Sequence, residues 1–115
     1  MIDGKEFKME FDKIKAEVKK VELDTTRMDN ECYFEAVIGH TRLEGIVRVL
    51  EGIFGAPAWP SDKKLLKDTE KLVKNLGGLR KGQTLYFLSK EGFSAFAMLW
   101  PWQDGERITI KISKA

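Results

Sequence analysis

The chain has 115 residues, 43% of them hydrophobic and 33% charged, and its formal net charge is +2. The length fits one domain with a single core, the composition excludes a disordered chain, and the small net charge gives no reason to expect a polyanionic partner. A single cysteine excludes an internal disulfide, so the fold makes no demand for an oxidising compartment. The sequence therefore predicts one domain, 1–115, in the cytoplasm by default, without a secretory leader or a membrane span.

The first half of the chain predicts a helix, a strand and a second helix. Apolar residues recur from Phe7 at steps of four, three, four and three, which predicts a helix over about 4–22, although the alternation of Phe7, Met9 and Phe11 leaves a strand open for its first turns. Residues 23–31 are polar and predict a loop, whereas 32–38 are rich in β-branched and aromatic side chains and predict a strand. Residues 41–54 have a capping-box pattern and an apolar helical face, which favours a helix. A hairpin turning at Gly39 stays open, because Gly45 and Gly52 weaken a helix there.

A rigid connector follows, in which Pro57 and Pro60 fix φ and favour extended neighbours. Ser61 is suited to cap a third helix, with Asp62 at the positive end of its dipole. Leucines at helical spacing predict that this helix buries one face and continues to the glycines at 77 and 78.

The last third predicts three antiparallel strands, 84–88, 93–100 and 107–113, joined by turns at Gly92 and Asp104-Gly105. The middle strand carries apolar residues toward both faces and needs two covers. The last strand has polar residues on one side, which favours the sheet edge. The predicted fold is α+β: three helices packed on one face of an antiparallel sheet of three to four strands, with a C-terminal β-meander. The strand at 32–38 would be the fourth, and the opposite face is expected to be partly uncovered.

Aromatic residues near prolines form the first candidate site. A tryptophan beside a proline suits a groove that grips a peptide or a flat small molecule, although such rings also serve as core packing. The candidate residues for ligand or partner binding are Trp59, Tyr86, Trp100 and Trp102.

A basic surface on the third predicted helix forms the second candidate. Its lysines could follow a phosphate backbone, but a helix also displays lysines opposite its leucines, and no aromatic platform for bases accompanies them. Nucleic acid is therefore not favoured as a partner. The basic residues are Lys63, Lys67, Lys71, Lys74, Arg80 and Lys81.

The sequence contains no recognisable catalytic, metal-binding or nucleotide-binding motif. Cys32 and His40 would lie about 26 Å apart at opposite ends of a strand, too far for a nucleophile and its base. A metal site would need carboxylates for its remaining ligands, and the glycine-rich segment 77–82 matches no nucleotide fingerprint. We predict no catalytic residue, metal or cofactor, and leave open whether the chain is an enzyme.

These patterns favour a non-enzymatic binding or assembly module that buries the aromatic sheet face against a partner, most simply a second copy in a homodimer. One alternative is a small-ligand protein or enzyme with a cleft between the connector and the sheet, where Trp59 and Trp102 would grip the ligand. Another is nucleic-acid contact through the lysine-rich helix.

Overall fold

The computed structural model describes residues 4–59, 71, 74, 82–90 and 93–114. The described elements confirm the predicted α+β class with an antiparallel sheet. In chain order they are α1 (Gly4–Lys19), β1 (Thr25–Asp29), β2 (Tyr33–Gly39), a 3-10 turn (His40–Arg42), α2 (Leu43–Phe54), β3 (Thr84–Lys90), β4 (Phe93–Pro101) and β5 (Arg107–Lys114).

Five antiparallel strands form the sheet in the order β1-β2-β5-β4-β3, so the prediction of three to four strands is too low. β3, β4 and β5 form the predicted meander. β2 joins it through β5, with Tyr33 opposite Ser113 and Gly39 opposite Arg107. The prediction that the last strand is an edge is wrong. Polar residues on one face of a strand show what that face meets, not which strands bond to its backbone.

β1 occupies the region that was predicted to be a loop. All five of its residues are exposed, so it has no apolar alternation to reveal it. Its backbone pairs with β2, for example Asp29 opposite Phe34, and the register shifts between Thr26 and Met28. The strand therefore forms by pairing rather than by burial of its side chains.

Two helices in the described part of the chain, α1 and α2, cover one face of the sheet. α1 ends at Lys19, slightly earlier than predicted. Residues 43–54 are helical, which resolves the choice between helix and hairpin, and Gly55 ends α2 with a φ of 82°. The third predicted helix lies outside the described residues, apart from Lys71 and Lys74, which are helical.

The main core lies between the helices and the sheet. Its apolar side chains alternate along the strands and recur every three or four residues along the helices, so each element contributes one face. The large contributors are Phe11, Ile14 and Val18 from α1, Ile46, Leu50 and Phe54 from α2, and Phe34, Ile38, Tyr86, Phe93, Leu99, Ile108, Ile110 and Ile112 from the sheet.

The strand predicted to be apolar on both faces is β4. It is an inner strand of the sheet, and both of its faces are shielded from water. Its helix-facing side joins the main core. On the other side, Leu85, Phe96 and Met98 form a second cluster and are 0%, 3% and 0% exposed. Phe87 and Trp100 at its margin are half-buried. A second copy of the chain is therefore not needed to shelter the middle of this face.

An ion-pair clamp joins α1 to β1. Lys15 Nζ donates to Asp29 Oδ1 at 2.7 Å and to the Asn30 carbonyl at 3.0 Å, and Lys19 Nζ donates to Asp29 Oδ2 at 2.7 Å. Lys15 is buried, although the other side of the clamp is open to water. The hydrogen bonds from Lys15 and Lys19 lower the pKa of Asp29 below its ordinary value of 3.8.

This clamp should make stability depend on pH in the acid range. Because the folded pKa of Asp29 is depressed, its contribution is fully present above pH 3.8 and is lost as pH falls through the folded value. We expect Asp29→Asn to be less stable than the wild type at pH 7, with the gap closing in acid. Urea unfolding followed by circular dichroism between pH 2.5 and 7 measures this. A gap of constant size would contradict the role of the clamp. Glu10→Gln, which removes a carboxylate from a surface ion pair with Lys13 within α1, is the control.

Candidate functional site

The sheet face opposite the helices, called the outer face here, has an apolar half and a polar half. Over β3 and β4 it holds the second apolar cluster, flanked by half-buried Trp59, Phe87 and Trp100. Over β5 and β2 the register brings polar residues onto the same face, because residues opposite each other in a sheet share a face. These are Thr109, Lys111 and Ser113 of β5, opposite Val37, Glu35 and Tyr33 of β2.

Lys111 and Trp100 meet where the two halves join. Trp100 lies opposite Thr109, the outward-facing neighbour of Lys111 on β5. Lys111 Nζ lies 3.8 Å from the centroid of the Trp100 ring, within the range of a cation–π contact. Trp100 Nε1 is buried and has no hydrogen-bond partner among the described residues. The ring is therefore fixed by packing and by the cation.

Trp102 lies just after β4 and is fixed against β5. Its Nε1 donates to Thr109 Oγ1 at 2.8 Å, and its backbone N–H donates to the Arg107 carbonyl at 2.8 Å. The guanidinium carbons of Arg27 and Arg107 lie 5.5 Å and 5.3 Å from the centroid of its ring. One indole thus holds two arginines that are far apart in the sequence.

The irregularity in β1 lies at Arg27, which falls between the paired residues Thr26 and Met28. A bulge of this kind re-aims a side chain. Arg27 also approaches the Glu35 carboxylate at 3.8 Å, and the Tyr33 hydroxyl donates to Glu35 Oε1 at 2.6 Å. Burial and the neighbouring Glu35 carboxylate raise the pKa of Tyr33 above its usual range. The Glu35 carboxylate is therefore paired with the Tyr33 hydroxyl and, at a longer distance, with Arg27.

The turn between β4 and β5 positions Arg107. Asp104 Oδ1 accepts hydrogen bonds from the backbone N–H groups of Glu106 and Arg107, and Gly105 adopts a φ of 70°. The predicted turn at Asp104-Gly105 is confirmed. The Arg107 guanidinium contacts Trp102 and has no carboxylate within 4.0 Å in the described part of the chain. It is an exposed cation on a fixed support.

A cavity of about 200 Å³ opens beside these groups. Trp102 and its two arginines line this cavity, and exposed Asp24 also lines it, with no ion pair to either guanidinium among the described residues. The lining residues are Asp24, Thr25, Arg27, Val37, Trp102 and Arg107.

The structure separates the four aromatic residues that the sequence grouped. Trp59 extends the β3 edge: the Leu85 N–H donates to its carbonyl at 2.8 Å, and it packs with Trp100 in the second apolar cluster. Tyr86 lies on the helix side, 1% exposed, with its ring 6.3 Å from that of Phe54. It belongs to the main core and does not meet the tryptophans. Trp102 contacts the arginines instead.

The remaining candidates do not form a site among the described residues. Lys71 and Lys74 are exposed, whereas Lys63, Lys67, Arg80 and Lys81 lie outside the described part of the chain. Cys32 and His40 flank opposite ends of β2, as the strand prediction required, and both are exposed.

A search of the described residues finds no group of three or more His, Cys, Asp or Glu side chains placed to hold a metal ion. Over the same residues, none of the helices combines the length and the apolar character needed to cross a membrane.

Comparisons of the chain with protein-family models, curated proteins and solved structures found no match. Sequence reasoning did not include Arg27, Arg107 and Lys111 in the candidate site. The alternation of β5 gave one signal, since it places Arg107 and Lys111 on one face. Arg27 gave none, because it lies in a segment without periodicity.

Proposed function

We propose that the chain is a non-enzymatic binding module, in the cytoplasm, that recognises an anionic partner. The observation that carries this proposal is the pair of guanidinium groups held against Trp102, 5.5 Å and 5.3 Å from its ring, beside an open cavity. The contact surface, called the cationic–aromatic band, consists of Arg27, Trp100, Trp102, Arg107 and Lys111.

The arrangement suits recognition of an oxyanion. A guanidinium offers a planar fork of N–H donors that matches a carboxylate or a phosphate. Arginines already held against an indole lose less side-chain freedom when a partner binds. Arg107 has no ion pair among the described residues, and Arg27 meets Glu35 only at 3.8 Å. Both cations can therefore accept a better partner.

The charge of the band favours a foreign partner over a second copy. It carries three cations, against Glu35 on the same face and Asp24 in the lining of the cavity, and Glu35 is already hydrogen-bonded to Tyr33. In a two-fold dimer the same patch faces itself, so like charges would meet. The apolar cluster that first suggested a dimer is already sheltered. Self-association through this face is therefore our second candidate function, and we call it the second form of the proposal.

Retention on a heparin column tests the band as an anion-binding surface. The variant Arg27→Gln/Arg107→Gln/Lys111→Gln should elute at markedly lower salt than the wild type, because three contacts with the polyanion are lost. The matched control, Lys13→Gln/Lys20→Gln/Arg48→Gln, removes three exposed cations from the helix side of the molecule and the same net charge. It should elute close to the wild type. Equal shifts in the two variants would contradict a dedicated band.

Sedimentation of the same three proteins at micromolar concentration tests the second form. A monomeric wild type excludes the dimer. A dimer that the band variant converts to monomer, while the control variant stays dimeric, would replace the anionic partner with a second copy.

A further inference from the structure

We infer that the anionic partner of the cationic–aromatic band is a single-stranded nucleic acid; this inference rests on the proposed function. The observation that supports this inference is that every cation of the band lies on an indole ring. Lys111 contacts Trp100 at 3.8 Å, and Arg27 and Arg107 contact Trp102. Carboxylates of an acidic protein would need the cations alone. A single-stranded nucleic acid would also contact the rings, because its bases stack on aromatic side chains and on guanidinium planes.

The two cation–indole pairs follow one another along β5. Arg107 and Lys111 both face outward and lie about 13 Å apart at roughly 3.3 Å per residue. Thr109 lies between them, accepts the hydrogen bond from Trp102 and is opposite Trp100. A single strand repeats a phosphate and a base at every nucleotide. When a cation moves from its ring onto a phosphate, each of two nearby nucleotides meets a cation for its phosphate and an indole for its base.

An unpaired strand fits the band better than a duplex does. In a duplex the faces of the bases are hidden in the stack, so a protein meets phosphates and groove edges. The indoles would then support the cations but find no base to stack on. Bases of a single strand expose their π-faces, and stacking on them tolerates any sequence. Neither α1 nor α2 packs on the outer face over β5 and β2, so among the described residues this half of the face is open for a strand to lie across it.

The proposed contacts predict a salt dependence. Arg27, Arg107 and Lys111 can neutralise three phosphates, and a single strand gives a slope of about −0.7 per contact. The logarithm of the association constant should therefore fall with the logarithm of salt concentration with a slope of about −2.

Fluorescence anisotropy with labelled twelve-nucleotide oligo(dT) and oligo(U), the oligo(dT) annealed to its complement, and labelled polyglutamate tests the inference. At 50 mM salt the wild type should bind both single strands more tightly than the duplex or polyglutamate and show quenched tryptophan fluorescence. Trp102→Leu should weaken single-strand binding roughly tenfold, as expected for loss of one stacked base. It should weaken duplex and polyglutamate binding by a clearly smaller factor, because those partners lose only the support that the indole gives to the arginines. Trp102→Phe, which keeps a ring, should restore most of the affinity. Thermal melting establishes that each variant is folded.

The outcomes separate this inference from the proposed function. Band-dependent binding of heparin or polyglutamate without binding of single strands overturns the inference and keeps the proposed function. Single-strand binding that Trp102→Leu leaves unchanged, or that merely equals duplex binding, also overturns it. If no polyanion binds through the band, both proposals fail.

Discussion

Lys111→Pro should strongly destabilise the protein, whereas Lys111→Ala should reduce its stability only slightly. Lys111 lies on the central strand β5, opposite Glu35 of β2 and Met98 of β4. Proline removes the backbone N–H and fixes φ, so it is tolerated at sheet edges but not in the middle of a ladder. We expect a loss of about 3 kcal/mol or more, a large part of a total stability of about 5–15 kcal/mol. Alanine removes only the contact with Trp100, worth about 1 kcal/mol.

Circular dichroism with urea unfolding measures this difference. Met28→Pro on the exposed edge strand β1 is the positional control and should cost clearly less than Lys111→Pro. A Lys111→Pro protein with a midpoint close to that of Lys111→Ala would mean that β5 does not join the two parts of the sheet.

Tyr86 and Trp102 should differ sharply although the sequence placed them in one site. Tyr86→Ala should reduce the free energy of unfolding by about 3–5 kcal/mol, because it removes a large ring from a fully packed core. Trp102→Leu changes a half-buried ring on the outer face and should cost about 1 kcal/mol. Urea unfolding of both variants is the measurement.

Tyr86→Phe shows whether the ring or the hydroxyl matters. Burial and the nearby Glu51 carboxylate raise the pKa of Tyr86, so the hydroxyl is neutral at pH 7. The phenylalanine variant should keep most of the stability and bind polyanions as the wild type does. If a folded Tyr86→Phe variant bound polyanions less tightly than the wild type, the assignment of Tyr86 to the core alone would be contradicted.

Local patterns predicted the elements that bury one face or turn sharply. The α2 helix and the turn at Gly105 followed from spacing and from glycine, because each depends on neighbours in the chain. The alternation of Ile108, Ile110 and Ile112 gave the correct buried side of β5. These elements form because of interactions among residues close together in the chain, and the local sequence is therefore enough to predict them.

Pairing between distant segments could not be predicted in this way. The five exposed residues of β1 form a strand because β2 offers them hydrogen bonds. Both faces of β3 and β4 are apolar, so alternation could not decide that Tyr86 faces the helices while Trp100 faces outward. The contact between Arg27 and Trp102 depends on the bulge in β1 and on strand order together.

The pairing of β2 with β5 also has a kinetic consequence. Gly39 meets Arg107, so most of the chain forms a loop that must close before these strands can bond. Contacts between residues so distant along a chain slow folding, typically to milliseconds or seconds. Until this closure occurs, Phe34 and Ile38 lack the strand that shields them in the native state. Misassociation between chains should therefore be most frequent in this interval.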